Sequence, residues 1–453
     1  MDMLSFTDQV DTIRTAFSYI NRFKGHTFVI KIVSSLFSHP LFPVLIKDIV
    51  LLHKMGIRIV LIPGARERIN EILATYNINC KTVDNIRITP AEAMPFVKMA
   101  AFDVSNRLMT FLAENNTNAI IGNWVKARSI GVVKGIDFQS SGSVEKLKKD
   151  IVEKMLDQGF IPIFPNIGWS GTGKPYNISS NELAFTVSRD LKATKLFFIT
   201  DFDGINAHDL KIPEDVYINS DNQITQLTAP QARILLDLNK KNNKTKEYEL
   251  LNLAYNACIN GVDRVHIING SIEGMLIKEI FSNRGLGTMI YNDPHENIRP
   301  ANFSDISNII HIMRPAITEE ILIPRTPEGL AEKIDDYVIY EVDGTPHACG
   351  ALHIYDDEQA EIAGIAVDKT YSNLGIGKKI INFLLDKAVK QNVKQIFVLT
   401  TQTSDWFVGL GFKKAGVSVL PEEKRKQYNT ARNSLIFTYT IANVRKKRPY
   451  SVE

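Results

Sequence analysis

At 453 residues the chain exceeds the size at which a single hydrophobic core keeps growing, so two or three domains are expected. Its 44% hydrophobic and 23% charged content is ordinary for a globular protein and excludes a disordered chain. A net charge of +3 gives no general attraction for nucleic acid.

In chain order, Thr27–Val33 reads as a buried strand and Phe42–Met55 as a helix with Leu45, Ile46, Ile49 and Leu52 at helical spacing. Ile57–Ile62 is a second strand stopped by Pro63-Gly64, and Phe160–Phe164, Lys195–Thr200 and Arg264–Ile268 are further strands separated by helical patterns. Such alternation predicts an α/β domain over residues 1–290 with a mostly parallel sheet covered on both faces. The polar, Pro-containing stretch 291–297 reads as a linker. Beyond it, 298–453 changes character. A helix over Asp305–Met313 leads to a strand Tyr337–Val342, an Asp343-Gly344 turn, and a returning strand over Ala348–Tyr355. A long strand Glu361–Val367, a Gly-containing turn, an amphipathic helix and a strand Gln395–Thr401 follow, predicting an α+β domain.

The basic runs, Lys240-Lys241 with Lys244 and Lys246, and Arg445-Lys446-Lys447-Arg448, lie in polar stretches and read as solvated loop and tail. Cys80, Cys258 and Cys349 are far apart and lack metal-ligand spacing, which points to a reducing compartment and to no bound metal. The start Met1-Asp2-Met3-Leu4-Ser5 lacks a signal-peptide apolar core, and no stretch approaches the ~20 apolar residues of a membrane span. A cytoplasmic enzyme without nucleic-acid or membrane partners is the expectation.

The segment Ile365-Ala366-Val367-Asp368-Lys369-Thr370-Tyr371-Ser372-Asn373-Leu374-Gly375-Ile376-Gly377 ends a strand, turns through two glycines and opens a helix. Consecutive backbone N–H groups at such a turn can cradle a pyrophosphate, and glycine lets it reach the backbone. An ordinary strand–helix turn has the same pattern. With the strand Gln395–Thr401, Trp406-Phe407 and Gly411-Phe412, this region resembles the GNAT acetyltransferase superfamily, except that Ser372 stands where the pattern has Gln or Arg. The chain as a whole resembles the N-acetylglutamate synthase family, through Ile298-Arg299-Pro300-Ala301, Ile321-Leu322-Ile323-Pro324-Arg325, Phe397-Val398-Leu399-Thr400-Thr401 and Leu420-Pro421-Glu422 running to Tyr428 and Arg432-Asn433-Ser434.

The resemblance implies transfer of an acetyl group from acetyl-CoA to the amino group of L-glutamate, as a first step toward arginine. It assigns Ile365, Ala366, Val367, Ser372, Asn373, Leu374, Gly375, Ile376 and Gly377 to the coenzyme. Glu361 is the matched general base, and Thr400 is the hydroxyl offered to the departing thiolate or its water. A backbone N–H of Ile365–Val367 is a candidate oxyanion donor. Arg325 and Arg432, with Ser434, match the clamps for glutamate's two carboxylates. The plainer readings are an outward-facing polar position for Glu361 and surface positions for the arginines. Gly364 stands where some members carry a larger residue.

The first domain resembles the amino-acid kinase fold, a three-layer domain closest to the acetylglutamate kinases. The matching pieces are Val29-Ile30-Lys31, Pro63-Gly64-Ala65, Asn85-Ile86-Arg87-Ile88-Thr89, Tyr176-Asn177-Ile178, Thr200-Asp201-Phe202-Asp203-Gly204 and His266-Ile267-Ile268-Asn269-Gly270. The family's paired glycines are replaced by Ser34-Ser35 and its catalytic Asp by Asn181, so phosphoryl transfer is not expected although Lys31 remains. Tyr19, His266, Glu279 and Gly285 match an arginine-sensing signature, implying L-arginine as effector. The plainer reading is a solvated Glu279 and a core His266. The resemblance also implies a homo-oligomer, with a hexamer as one form. Two other functions stay open at this point: a bifunctional synthase–kinase, and an arginine-sensing protein with a degenerate transferase domain.

Overall fold

The computed structural model describes residues 17, 21–208, 210–213, 216–242, 245–281, 286–292, 296–342, 345–355, 357–368 and 375–441. Tyr19, Gly285, Ser372, Asn373, Leu374, the Asp343-Gly344 turn, Lys244, the run at 445–448 and the first residues of the chain lie outside the described residues. The chain divides into two compact units, Met1–Asp293 and Pro294–Glu453.

The first unit is built on β1 (Thr27–Ile32), α1 (Phe42–Lys54), β2 (Arg58–Pro63), β3 (Ala119–Ile121), β4 (Ile161–Ile163), α2 (Ser180–Asp190), β5 (Lys195–Thr200), β6 (Gln226–Thr228), α3 (Lys246–Ile259), β7 (Arg264–Asn269), α4 (Met275–Phe281) and β8 (Thr288–Tyr291). Its sheet has the order β6-β8-β7-β5-β1-β2-β4-β3 and is parallel except for the β7–β8 pair. Every residue of β1 and β5 is buried. That is the continuous apolar run expected of a strand with helices over both faces. Val29, Val60, Leu196 and Val265 feed one core, shared with Leu183 of α2 and Leu251 of α3. Their neighbours Phe28, Ile30, Leu61 and Ile268 feed the other, shared with Ile46 of α1 and Leu276 of α4. The period-2 alternation of side chains thus makes the three layers. The N-caps Ser179 and Thr245, which accept from the N–H groups of Glu182 and Tyr248, fix where α2 and α3 begin.

The second unit holds β9 (Glu296–Pro300), α5 (Ile306–Thr318), α6 (Pro327–Glu332), β10 (Tyr337–Val342), β11 (Thr345–Tyr355), β12 (Gln359–Val367), α7 (Ile376–Lys390), β13 (Gln395–Thr400), α8 (Ser404–Gly409), β14 (Lys413–Ala415), α9 (Glu422–Lys426) and β15 (Leu435–Thr440). The sheet order is β9-β10-β11-β12-β13-β15-β14. Tyr291 closes β8 and β9 opens at Glu296, so the 291–297 stretch contributes residues to both units. One sheet face packs on α7 through Val338, Ala348, Ile362 and Ile380. The other packs on α5 and α6 through Tyr337, Cys349, Ile309 and Leu330. Helix α5 runs past Met313, where the sequence reading ended it, to Thr318 with Pro315 inside. A 3-10 turn, Phe303–Asp305, precedes it, in which Asp305 accepts from the Asn302 N–H at 2.8 Å and pairs with both terminal nitrogens of Arg299.

Candidate active site

The cleft of the second unit is made by a break in its sheet. β12 runs parallel to β13 only through Gln359↔Gln395, Ala360↔Ile396 and Glu361↔Phe397. After Glu361 the ladder ends and the two strands part. On the other edge of β12, Ala363 faces Ala351 and Ala366 faces Cys349, so three steps on β12 match two on β11. This is a β-bulge, and it turns on Gly364 at φ +62. The packing shows the same slip, since Ala360 and Ile362 point toward α7 and then Ile365 and Val367 do. A Cβ on Gly364 would stand 2.8 Å from Met313 Cε, so glycine here answers both a backbone and a packing demand. The bulge bends Ile365–Val367 away from β13 and leaves strand backbone facing the gap, where a thioester oxygen can find an N–H donor.

Glu361 sits where the strands part. It is buried, 5% exposed, and its Oε2 takes the Lys424 ammonium at 2.6 Å and the Tyr355 hydroxyl at 3.1 Å. Glu361 is therefore not an outward polar position. Burial, and then the Glu361 charge, push the Tyr355 hydroxyl well above its ordinary value, so it stays a neutral donor. Thr400 ends β13, three residues beyond the last rung, and is buried. Its hydroxyl lies 2.7 Å from that of Thr403 and accepts from the Thr403 N–H at 3.0 Å. Across the next ladder Thr400 faces Leu435, which follows Ser434.

The two candidate clamps converge on one loop. Arg432 Nη2 donates to the carbonyls of Glu320 and Ile321 at 3.1 and 2.8 Å, a few residues before Arg325. The positive charge of Arg325 in turn acts on the hydroxyl of Tyr337, the residue over Gly364 at the bulge. Both guanidiniums are half-buried. The Ser434 carbonyl accepts from the Tyr428 hydroxyl at 2.9 Å. At the mouth of α7, Gly375 is the left-handed N-cap, with no atom within 4 Å of where a Cβ would stand. Gly377 lies under the Trp406 indole, which would meet a Cβ at 3.1 Å, so α8 pins the first turn of α7. The free N–H groups of a 15-residue helix and an open glycine suit a coenzyme diphosphate. Sequence reasoning missed Tyr355, Tyr337 and Lys424. Lys424 lies in the charged run Glu422-Glu423-Lys424-Arg425-Lys426, where nothing local sets it apart from its neighbours.

In the first unit, a cleft of about 730 Å³ is lined by Lys31, Ser34, Ser35, Asn181, Asp201 and Glu249, among others. Burial brings the Lys31 ammonium down to about 8. The residues that replace the kinase pattern carry structural bonds. Ser35 donates to Asp201 at 2.9 Å, and Asn181 donates to Glu249 at 2.9 Å. An aspartate at 181 would set two carboxylates against each other. His266 on β7 and Glu279 on α4 meet at 2.7 Å, both buried, and Glu279 Oε2 accepts from the N–H groups of Leu286 and Gly287. Burial, and then the charge of Lys195, bring His266 down to about 4. Burial raises the Glu279 carboxyl, but the bonds from His266 and the two N–H groups leave it below its ordinary value. Glu279 is thus not a solvated helix residue. Among the described residues no cluster of His, Cys, Asp and Glu could hold a metal, and no helix is long and apolar enough to cross a membrane.

Residues 26–269 match the Amino acid kinase family, and residues 307–406 match the Acetyltransferase (GNAT) family. The "Amino-acid acetyltransferase" of Pasteurella multocida (strain Pm70) is 34% identical over 446 residues, covering 96% of this chain and 99% of that protein. The chain belongs to the amino-acid acetyltransferase family. The Escherichia coli (strain K12) acetyltransferase is 33% identical, with 95% and 97% covered. Among solved structures, N-acetylglutamate synthase from Neisseria gonorrhoeae complexed with coenzyme A and L-arginine gives a TM-score of 0.77 at 31% identity, covering 96% of this chain and 99% of that one. The same enzyme complexed with coenzyme A and N-acetyl-glutamate gives 0.59 at 31% identity, covering 97% and 100%. The amino-acid acetyltransferase assignment accounts for both units, the kinase-like first and the splayed GNAT sheet of the second.

Proposed function

We propose that this acetyltransferase moves the acetyl group of acetyl-CoA onto the amino nitrogen of L-glutamate, giving N-acetyl-L-glutamate and CoA. The observation that carries the reading is the buried Glu361 carboxylate at the fork of β12 and β13, beside a bulge that opens strand backbone to the same gap. Acetyl-CoA supplies an activated acyl group; the chain's part is to position, deprotonate and reprotonate. Glu361 takes the proton that the acceptor's ammonium must lose before its nitrogen bonds to the acyl carbon. Backbone N–H groups of Ile365–Val367 meet the charge that develops on the acyl oxygen. As the C–S bond breaks, Thr400 donates a proton to the leaving thiolate, directly or through water. Arg325 and Arg432, with Ser434, take the two carboxylates of glutamate. Their convergence on the 320–325 loop supports this assignment.

Gly375, Ile376 and Gly377 hold the coenzyme diphosphate, with Ser372, Asn373 and Leu374 completing the loop and Ala366 on the strand before it. On this reading residues 298–453 form the catalytic domain and 1–290 a regulatory one. L-Arginine acts on the latter near His266 and Glu279, with Tyr19 and Gly285 contributing. The buried His266–Glu279 pair supports a built site there, since it anchors Leu286 and Gly287 next to β7. The enzyme works in the cytoplasm as a homo-oligomer, a hexamer being the form the family resemblance implies. A synthase–kinase is disfavoured by the bonds that Ser35 and Asn181 make. Release of CoA thiol from acetyl-CoA, with and without L-glutamate and then with added L-arginine, tests both halves. Glutamate-dependent release supports the synthase, and a change with arginine supports the sensor. Release that ignores glutamate contradicts the first, and release that ignores arginine contradicts the second.

A further inference from the structure

Helix α9 carries five charged residues in a row, and they are treated unequally. Glu422 and Lys426 pair with each other across one turn while 77% and 73% exposed. Arg425 turns back to cap the Leu420 carbonyl. Lys424 alone among them reaches the sheet, with its side chain 22% exposed and its ammonium 2.6 Å from Glu361 Oε2. Surface pairs such as Glu422–Lys426 contribute little, but a cation turned onto a 5%-exposed carboxylate acts in a poorly screened setting.

The two oxygens of Glu361 are used differently. Oε2 carries both the Lys424 ammonium and the Tyr355 hydroxyl, whereas Oε1 takes no hydrogen bond among the described residues. Oε2 is the anchored oxygen and Oε1 the one left for an incoming ammonium. The pair also cancels a negative charge that would face a dicarboxylate acceptor.

We propose that Lys424 is a positioning residue of the transferase: it anchors Oε2 of Glu361, leaves Oε1 turned to the acceptor, and offsets the repulsion between Glu361 and a dicarboxylate amino acid. The inference rests on the reading of Glu361 as base. The charged and titratable groups around Glu361 are Tyr355 on β11, His353 facing it across the β11–β12 ladder and paired with Asp336, Lys424 on α9, and Glu423 beside it, which acts on Tyr355. Lys424 is the cation among these in direct contact with the carboxylate.

The test is the KM for L-glutamate and kcat in CoA release by the full chain, for the unaltered enzyme and for Lys424→Gln, Lys424→Arg and Glu361→Gln. Without the ammonium the charge of Glu361 faces the acceptor's carboxylates uncancelled and its anchored oxygen is released. Lys424→Gln should therefore raise the KM for glutamate about tenfold, with the KM for acetyl-CoA unchanged, and Lys424→Arg should restore it. A purely structural strut would lower the unfolding temperature or move both KM values together, and that result would overturn the proposal. Should the glutamine variant fail to fold, Lys424→Met, which keeps the length of the stem, is read the same way. Glu361→Gln separates the two ideas. If it abolishes release, an unmoved glutamate KM in Lys424→Gln strikes Lys424 alone; if release survives in Glu361→Gln, the base assignment itself has failed.

Discussion

The carboxylate of Glu361 shows what a residue type in a motif leaves unsaid. As a letter at the start of an apolar strand it reads equally as a base or as an outward-facing polar side chain. Its burial and the ion pair with Lys424 depend on a helix more than sixty positions away in the sequence, which no local pattern announces. The arginines are similar: Arg432 was legible through its motif, but its grip on the Glu320 and Ile321 carbonyls was not. Replacing Glu361 by Gln removes the proton acceptor and keeps the shape. Turnover should fall on the order of a hundredfold or more, with acetyl-CoA affinity, read by calorimetry, little changed. Arg432→Lys should raise the KM for glutamate more than it lowers kcat, because the bidentate fork is lost. A kcat loss at constant KM would assign Arg432 to the chemistry instead.

At the scale of elements, the strands were the most legible part, because a strand covered on both faces must be a continuous apolar run and β1 and β5 are. Helix α5 extends past the expected Met313 to Thr318 with Pro315 inside, and Ile317 packs against the same core as Ile309, Ile312 and Met313. The bulge in β12 was hidden because one glycine in a run of small and apolar residues does not reveal a change of face. In the fold the change is plain, with Ile362 and then Ile365 facing α7. Gly364→Ala should destabilise the second unit by ~1–3 kcal/mol, since it forces a side chain into φ +62 and against Met313. Chemical denaturation would measure it. A neutral substitution would mean that β12 pairs without the bulge, and activity should then show whether the cleft has closed.

For the whole molecule, the pairing of a kinase-like unit with a transferase unit was legible from strand–helix alternation, a polar break and motifs on both sides of it. The loss of kinase chemistry was also visible, in Ser34-Ser35 and Asn181. That Asn181 and Asn85 both hold Glu249 could come only from the fold. The first unit should be acid-sensitive for a stated reason. His266 is held at about 4, below its ordinary 6.5, so the unfolded chain binds a proton there that the folded chain refuses. This stability is complete above about 6.5 and is lost as pH falls through that window toward about 4. Glu279, held below its ordinary value, extends the loss in the same direction. Denaturant midpoints across this window should drop, and His266→Gln should flatten the slope. An unaltered slope would place the acid sensitivity elsewhere.

The most direct test of the central claim is the rate at which the full chain releases CoA thiol from acetyl-CoA when L-glutamate is added. Release should depend on glutamate, yield N-acetyl-L-glutamate in equal amount and collapse in Glu361→Gln. Release that is absent with glutamate, or that persists undiminished in Glu361→Gln, would contradict it.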